Sequence, residues 1–153
     1  MKQRVPKANI DSFLGDKSIA VAGVSRSGKK FGNAVFKELK ERGYTVYPLN
    51  PQAREINGEQ CFPKPSSLPK GVGGLVLVVP PEQTAQLLDD ALKAGIRKIW
   101  FQPGSESAEG KAFCERNGLT AVSGECILMH GEHVGSIHGV HRFFRRLFGT
   151  MPV

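Results

Sequence analysis

The run Gly23-Val24-Ser25-Arg26-Ser27-Gly28-Lys29-Lys30 has the residue types and spacing to hold a phosphate. Glycines let main-chain N–H groups turn toward an anion, serine hydroxyls add donors and the cations supply charge. Gly23-x-x-x-x-Gly28-Lys29 reproduces most of a P-loop, yet the next residue is Lys30, where a Ser or Thr hydroxyl should hold magnesium. The apolar run 75–79, which would end in the second magnesium ligand of such an enzyme, ends in Pro80-Pro81. The run also approaches Gly-x-Gly-x-x-Gly, but Ser25 stands where the second glycine admits a pyrophosphate. A dinucleotide site further needs an acid after its second strand to bind a ribose hydroxyl, and the residues there are Tyr47-Pro48-Leu49-Asn50-Pro51. Metal-free holding of a phosphorylated adenosine remains. Backbone amides, Ser25, Ser27 and Arg26 or Lys29 would take the phosphates, the adenosine would lie over the Asn50-Pro51 turn, and Arg54 could meet a further ribose phosphate. The competing structural reading is that Gly23 and Gly28 only let strand and helix pack, with Arg26, Lys29 and Lys30 as solvated surface.

Such a turn needs a strand before it and a helix after it. Ser18–Ala22 is apolar on both faces, as in a buried parallel strand, and residues 33–42 place Val35, Phe36 and Leu39 at helical spacing before a stop at Gly43. A strand at 44–49 completes a βαβ unit, and a turn-rich loop covers 50–74. The pattern then repeats. A strand at 75–79 stops at Pro80-Pro81, a helix at 82–94 turns Leu87, Leu88, Ala91 and Leu92 inward, and a strand follows at 98–102. A helix at 107–117 and a short strand at Thr120–Val122 complete about five strands alternating with helices, after a helical lead-in within about 1–17. The expected class is α/β: a three-layer sandwich whose mostly parallel sheet is joined by right-handed crossovers. Trp100, in mid-strand, reads as core rather than as a stacking platform.

The chain has 153 residues, 40% of them hydrophobic, enough for one buried core, so residues 1–153 are expected to form a single domain. No apolar run approaches the roughly 18 residues that span a bilayer, and Met1 to Pro6 lacks the apolar core of a signal peptide, which points to the cytoplasm. Cys61, Cys114 and Cys126 match no zinc spacing and are expected to be reduced thiols. A net charge of +7 suits an anionic ligand, nucleic acid or an acidic surface without choosing among them.

Four strand ends taken together, Gly23-Val-Ser25, Tyr47-Pro-Leu-Asn50-Pro51, Val78-Val-Pro-Pro81 and Ile99-Trp-Phe-Gln-Pro-Gly104, resemble the small CoA-binding domain proteins. These are similar to the N-terminal CoA-binding domain of the succinyl-CoA synthetase alpha subunit. The resemblance covers about residues 10–129 and implies a Rossmann-like domain with coenzyme A as its cofactor. It assigns the phosphates to Gly23, Ser25, Arg26 and Ser27, and the flanks of the adenosine to Asn50 and Pro51; Val24 within the turn and Lys29 after it complete the expected cofactor-binding residues there. Val79, Pro80 and Pro81 would border the cofactor, and Gln102 would lie near the pantetheine arm. Relatives often carry a basic residue directly after the Asn-Pro pair, where this chain has Gln52, so Arg54 is the candidate for the 3′-phosphate. The synthetases' phosphohistidine belongs to a separate ligase domain, so acyl-CoA synthesis is not implied, and no catalytic residues are assigned.

Cys126 lies in the resembling segment, where its thiol could meet that of coenzyme A in a mixed disulfide, although burial as a small apolar residue is the plainer role. His130, His133, His138 and His141 fall close together, but their spacing matches no compact zinc module and no metal is expected. At about 134–149 an amphipathic helix is expected, with Val140, Phe143, Phe144 and Leu147 on one face and His141, Arg142, Arg145 and Arg146 on the other. Its apolar face could dock on the domain or on a second copy, giving a homo-oligomer. Two other function classes stay in view: an NAD(H)-binding redox sensor or oxidoreductase, weakened by the missing acid, and a basic nucleic-acid or membrane interaction protein. No recognised nucleic-acid motif supports the latter.

Overall fold

Residues 5–130 are described by a computed structural model. The expected C-terminal helix, with His133, His138 and His141, lies outside the described residues. Helix α1 (Lys7–Leu14) leads into strand β1 (Ser18–Ala22), then α2 (Phe31–Glu41) and β2 (Thr45–Leu49). Two short strands, β3 (Glu55–Ile56) and β4 (Glu59–Gln60), precede β5 (Gly74–Leu77), α3 (Pro81–Lys93), β6 (Lys98–Phe101), α4 (Ala108–Arg116) and β7 (Thr120–Val122). Single 3-10 turns occupy Pro65–Ser67 and Ile127–Met129.

The main sheet has five strands in the order β2-β1-β5-β6-β7, each neighbouring pair parallel. β1 lies between β2, pairing Ile19 with Val46 and Ala22 with Leu49, and β5, pairing Ile19 with Gly74 and Ala22 with Leu77. Successive side chains of a strand point to opposite faces, so Ile19 and Val21 join one apolar layer and Ala20 and Ala22 the other. The first layer meets α1 and α2 through Phe13, Val35, Phe36 and Leu39; the second meets α3 and α4 through Leu88, Ala91 and Cys114. This is the expected α/β Rossmann-like sandwich. Trp100 is fully buried in the first layer, edge-on to Phe13 with ring centroids 5.4 Å apart, and its indole N–H donates to the Glu125 carbonyl at 2.8 Å.

Differences from the sequence reading have local causes. β5 stops at Leu77 because the Val79 N–H donates to Ser105 Oγ at 3.0 Å and Pro80 and Pro81 have no N–H to continue a ladder. α3 starts at Pro81, a first-turn position where the missing donor costs nothing. The long loop holds a hairpin: Asn57 at φ 53° and Gly58 at φ 79° supply the left-handed pair that a two-residue hairpin turn demands, and Lys40 of α2 pairs with Glu59 to hold it. At the amino edge of the sheet Lys98 reaches Asp16 Oδ2 at 3.3 Å and donates to the Ser12 carbonyl at 3.0 Å, tying the lead-in to β6.

Candidate ligand site at the carboxyl edge of the sheet

From β1 the chain moves outward through α2 to β2, and from β5 it moves the opposite way through α3 to β6. α2 and α3 cover opposite faces, so the carboxyl ends of β1 and β5 part into a crevice, the switch point where open α/β sheets take ligands. Every loop singled out in the sequence leaves the sheet at this edge.

The turn after β1 is built by close approach of backbones. Gly23 sits at φ 103°, and a Cβ there would collide with the Val78 carbonyl at the end of β5; a Cβ on Gly32, in the first turn of α2, would collide with the carbonyl of Gly23. The turn is therefore pressed between β5 and α2. Asn33, 8% exposed, holds its shape: its Oδ1 accepts from the Ser25 N–H at 3.0 Å and the Ser25 hydroxyl at 3.2 Å, while its Nδ2 donates to the Ser25 carbonyl at 2.8 Å. Ser25 and Ser27 hydroxyls share a hydrogen bond of 2.8 Å, and the Lys29 N–H donates to Ser27 Oγ at 3.3 Å. No side chain caps α2 at Lys30 and its first turn holds no acid, so the positive end of the helix dipole faces the turn unopposed by local negative charge. Arg26, Ser27, Gly28, Lys29 and Lys30 are exposed around it.

The loop after β2 joins this turn through Asn50, whose Nδ2 donates to the Val24 carbonyl at 2.9 Å and whose Oδ1 accepts from the Gln52 N–H at 2.7 Å. The Asn50 amide thus shapes the loop from inside, leaving Pro51 and Arg54 exposed beside it. After β5, Val79 is buried and Pro80 and Pro81 are exposed, a rigid edge without N–H groups. After β6, Gln102 is 1% exposed and faces inward: its Oε1 accepts from the Ile127 N–H at 2.7 Å and its Nε2 donates to Cys126 Sγ at 3.5 Å. Gln102 therefore holds the Cys126–Ile127 segment against the end of β6.

The structure brings Gly23, Val24, Ser25, Ser27 and Asn50 into one hydrogen-bonded and packed unit with Val78 beside it. Two residues with structural roles here escaped the sequence reading. Asn33 was visible as a polar residue beside the apolar stripe of α2; Ser105, 3% exposed, had no local signal, because its partners Val79 and Thr84 are distant in sequence. Burial pushes the Cys126 thiol up from its ordinary value, against smaller opposing effects of the Gln102 amide, the Leu128 and Met129 N–H groups and Arg42. It is therefore mainly protonated at neutral pH, which disfavours the attack needed for a mixed disulfide. His130 lies 3.1 Å from Glu125 Oε2, and no group of three or more metal-ligating side chains occurs among the described residues. A cavity of about 430 Å³ lies between α3 and α4, lined by Ala85, Gly110 and Phe113 among others, in the helical layer rather than at the sheet edge. No helix among the described residues is long and apolar enough to cross a membrane.

A family described as CoA binding domain matches residues 17–132. The alpha subunit of an ADP-forming acetate–CoA ligase II from Pyrococcus furiosus is 28% identical over 135 residues, which cover 81% of this chain and 30% of that subunit. A solved conserved hypothetical protein from Pyrococcus furiosus is 41% identical with a TM-score of 0.70, covering 72% of this chain and 96% of that one. The dinucleotide-forming acetyl-coenzyme A synthetase 1 of Ca. Korarchaeum cryptofilum, solved with phosphate and ADP, is 29% identical with a TM-score of 0.66 over 75% of this chain and 27% of its own. The chain spans between 18% and 30% of the length of the ligase relatives it matches.

Proposed function

The chain belongs to the CoA binding domain family, and from that premise we propose that it binds coenzyme A, free or acylated, in the cytoplasm along the carboxyl edge of its sheet. The observation that carries this reading is the junction of three strand ends: Gly23 packed on Val78, and Val24 bonded to Asn50. A glycine turn alone would suit many phosphates; a turn locked to an Asn-Pro loop on one side and a Pro-Pro edge on the other suits an adenosine phosphate with a long extension. The Gly23–Lys30 backbone, the Ser27 hydroxyl, Arg26 and Lys29 would hold the phosphates, with Asn33 and Ser25 fixing the turn. Pro51 would flank the adenosine, with Asn50 shaping its loop, and Arg54 would meet the 3′-phosphate. Val79, Pro80 and Pro81 would line the start of the arm, and Gln102 would act by positioning the Cys126 segment beside it. Bound coenzyme A supplies a thiol able to carry an acyl group.

Calorimetric titration tests the reading with CoA, dephospho-CoA, NADH, ATP with magnesium, and an oligonucleotide. CoA is expected to bind more tightly than dephospho-CoA, with NADH, ATP and the oligonucleotide weak or silent. Saturation by NADH without response to CoA would transfer the site to the redox reading. The ligase relatives favour a second role, as the CoA-holding part of an acyl-CoA synthesis completed by another polypeptide. Acetyl-CoA formation from acetate, ATP and CoA, appearing only when a ligase partner is added, would establish it.

A further inference from the structure

The cavity between α3 and α4 plays no part in the proposed ligand site, and the residues along it form an ordered stripe. Glu109, Ala112, Phe113 and Arg116 all line it, and their spacing of three, four and seven residues puts them on one side of α4. Ala85 is contributed by α3. Glu109, Arg116 and Ala85 are exposed and Ala112 and Phe113 half-buried, so the stripe opens to solvent. Gly110 seats α4 on α3, since a Cβ there would come within 3.3 Å of the Thr84 methyl carbon, and the groove therefore belongs to the packed helical layer. Neither Glu109 nor Arg116 makes an ion pair among the described residues, and about 10 Å of helix rise keeps them from each other.

From the amino end of α4 the stripe runs acid, small, large, base, an order that complements itself when reversed. A second α4 laid antiparallel about a two-fold axis between Ala112 and Phe113 brings Glu109 to the partner's Arg116, Arg116 to the partner's Glu109, and each Phe113 to the partner's Ala112. Parallel pairing would set acid on acid and base on base. The stripe is neutral as a whole, so two chains of net charge +7 meet there without like charges face to face. The described chain ends at His130, whose carbonyl Arg42 holds against α2 on the opposite face of the sheet, so no described segment covers the groove.

We infer that the groove between α3 and α4 is a homodimer surface on which a second copy of this chain docks with the two α4 helices antiparallel. α4 has nine residues, so the contact belongs to the small, reversible class of interface, with micromolar affinity. In sedimentation equilibrium of the full chain from about 1 to 300 μM, the average mass is expected to rise from one chain toward two. Glu109→Arg and Arg116→Glu should each weaken association about a hundredfold, through two like-charge contacts apiece. An equimolar mixture of the two variants should recover it, because each supplies the charge that the other lacks. Glu109 and Arg116 also complement the dipole of α4; that role alone would lower melting temperatures without changing the mass and without recovery on mixing, and would overturn the inference. A wild type that stays monomeric overturns it too. So does a dimer indifferent to both reversals, which would assign association to another surface such as the 134–149 segment. Should a reversal fail to fold, Glu109→Gln and Arg116→Gln decide: each is expected to weaken association about tenfold, and unchanged association in both overturns the inference.

Discussion

At Gly23 the lack of one Cβ lets the end of β5 and the first turn of α2 close on the same peptide. Gly23→Ala adds both a left-handed strain at φ 103° and a collision with the Val78 carbonyl, and should cost about 3 kcal/mol in urea denaturation. Asn33 tests the turn without touching the proposed ligand. Asn33→Ala removes both ends of its bridge to Ser25, so CoA affinity should fall about tenfold, with a stability loss of about 1–2 kcal/mol. Cys114, 1% exposed, makes a pH prediction. Burial pushes its thiol from its ordinary 9.0 up to about 11, so the unfolded chain loses this proton before the folded one does. The stabilisation is complete below pH 9 and disappears as pH rises toward about 11, amounting to roughly 2–3 kcal/mol. Melting temperature measured from pH 8 to 11 should fall more steeply for the wild type than for Cys114→Ala.

α2 works at both ends. Its first turn fixes the candidate phosphate turn, and Arg42, directly after its last residue, holds the segment beyond β7. The Arg42 guanidinium is largely buried; Nε meets Glu38 Oε1 at 3.1 Å, Nη1 donates to the His130 carbonyl at 2.6 Å and Nη2 to the Leu128 carbonyl at 2.8 Å. Arg42→Ala would remove the buried Arg42–Glu38 ion pair and release these two carbonyls, at a cost of about 3–5 kcal/mol. Hydrogen exchange should then accelerate at residues 126–130 more than in the sheet. Elements of this size differ in how far sequence reveals them. The helices 33–42, 82–94 and 107–117 were legible to within two residues of each observed start, because apolar residues repeat at helical spacing and Gly43, Gly95 and Gly118 close them. The β3–β4 hairpin was hidden in a turn-rich loop although Asn57-Gly58 announces its turn: two-residue strands are too short for alternation to appear.

For the whole molecule, ligand and fold are thermodynamically linked. CoA at a hundred times its Kd should stabilise the protein by about 2.7 kcal/mol, raising Tm by about 5–10 °C. Because an anion would meet a chain of net charge +7, with Arg26, Lys29 and Lys30 exposed around the turn, that shift should shrink as salt is raised. A shift equal at 50 and 500 mM salt would speak against phosphate contacts as its source.

The sequence by itself determined that a strand, a glycine turn and a helix follow one another at residues 18–42, that βα units repeat, and that the turn lacks both a magnesium hydroxyl and the second dinucleotide glycine. These are local properties, set by side-chain period, by glycine and proline geometry, and by which donors a short segment carries. Tertiary structure decided that Gly23 lies against Val78 and that Asn50 bonds Val24, because β1 is flanked by β5 on one side and β2 on the other. It also turned Gln102 inward to Cys126 and Ile127, gave Ser105 its partners, and shut Glu106 Oε2 away from water. A polar side chain at a strand end can face ligand, solvent or its own protein, and only the segments folded against it select among the three.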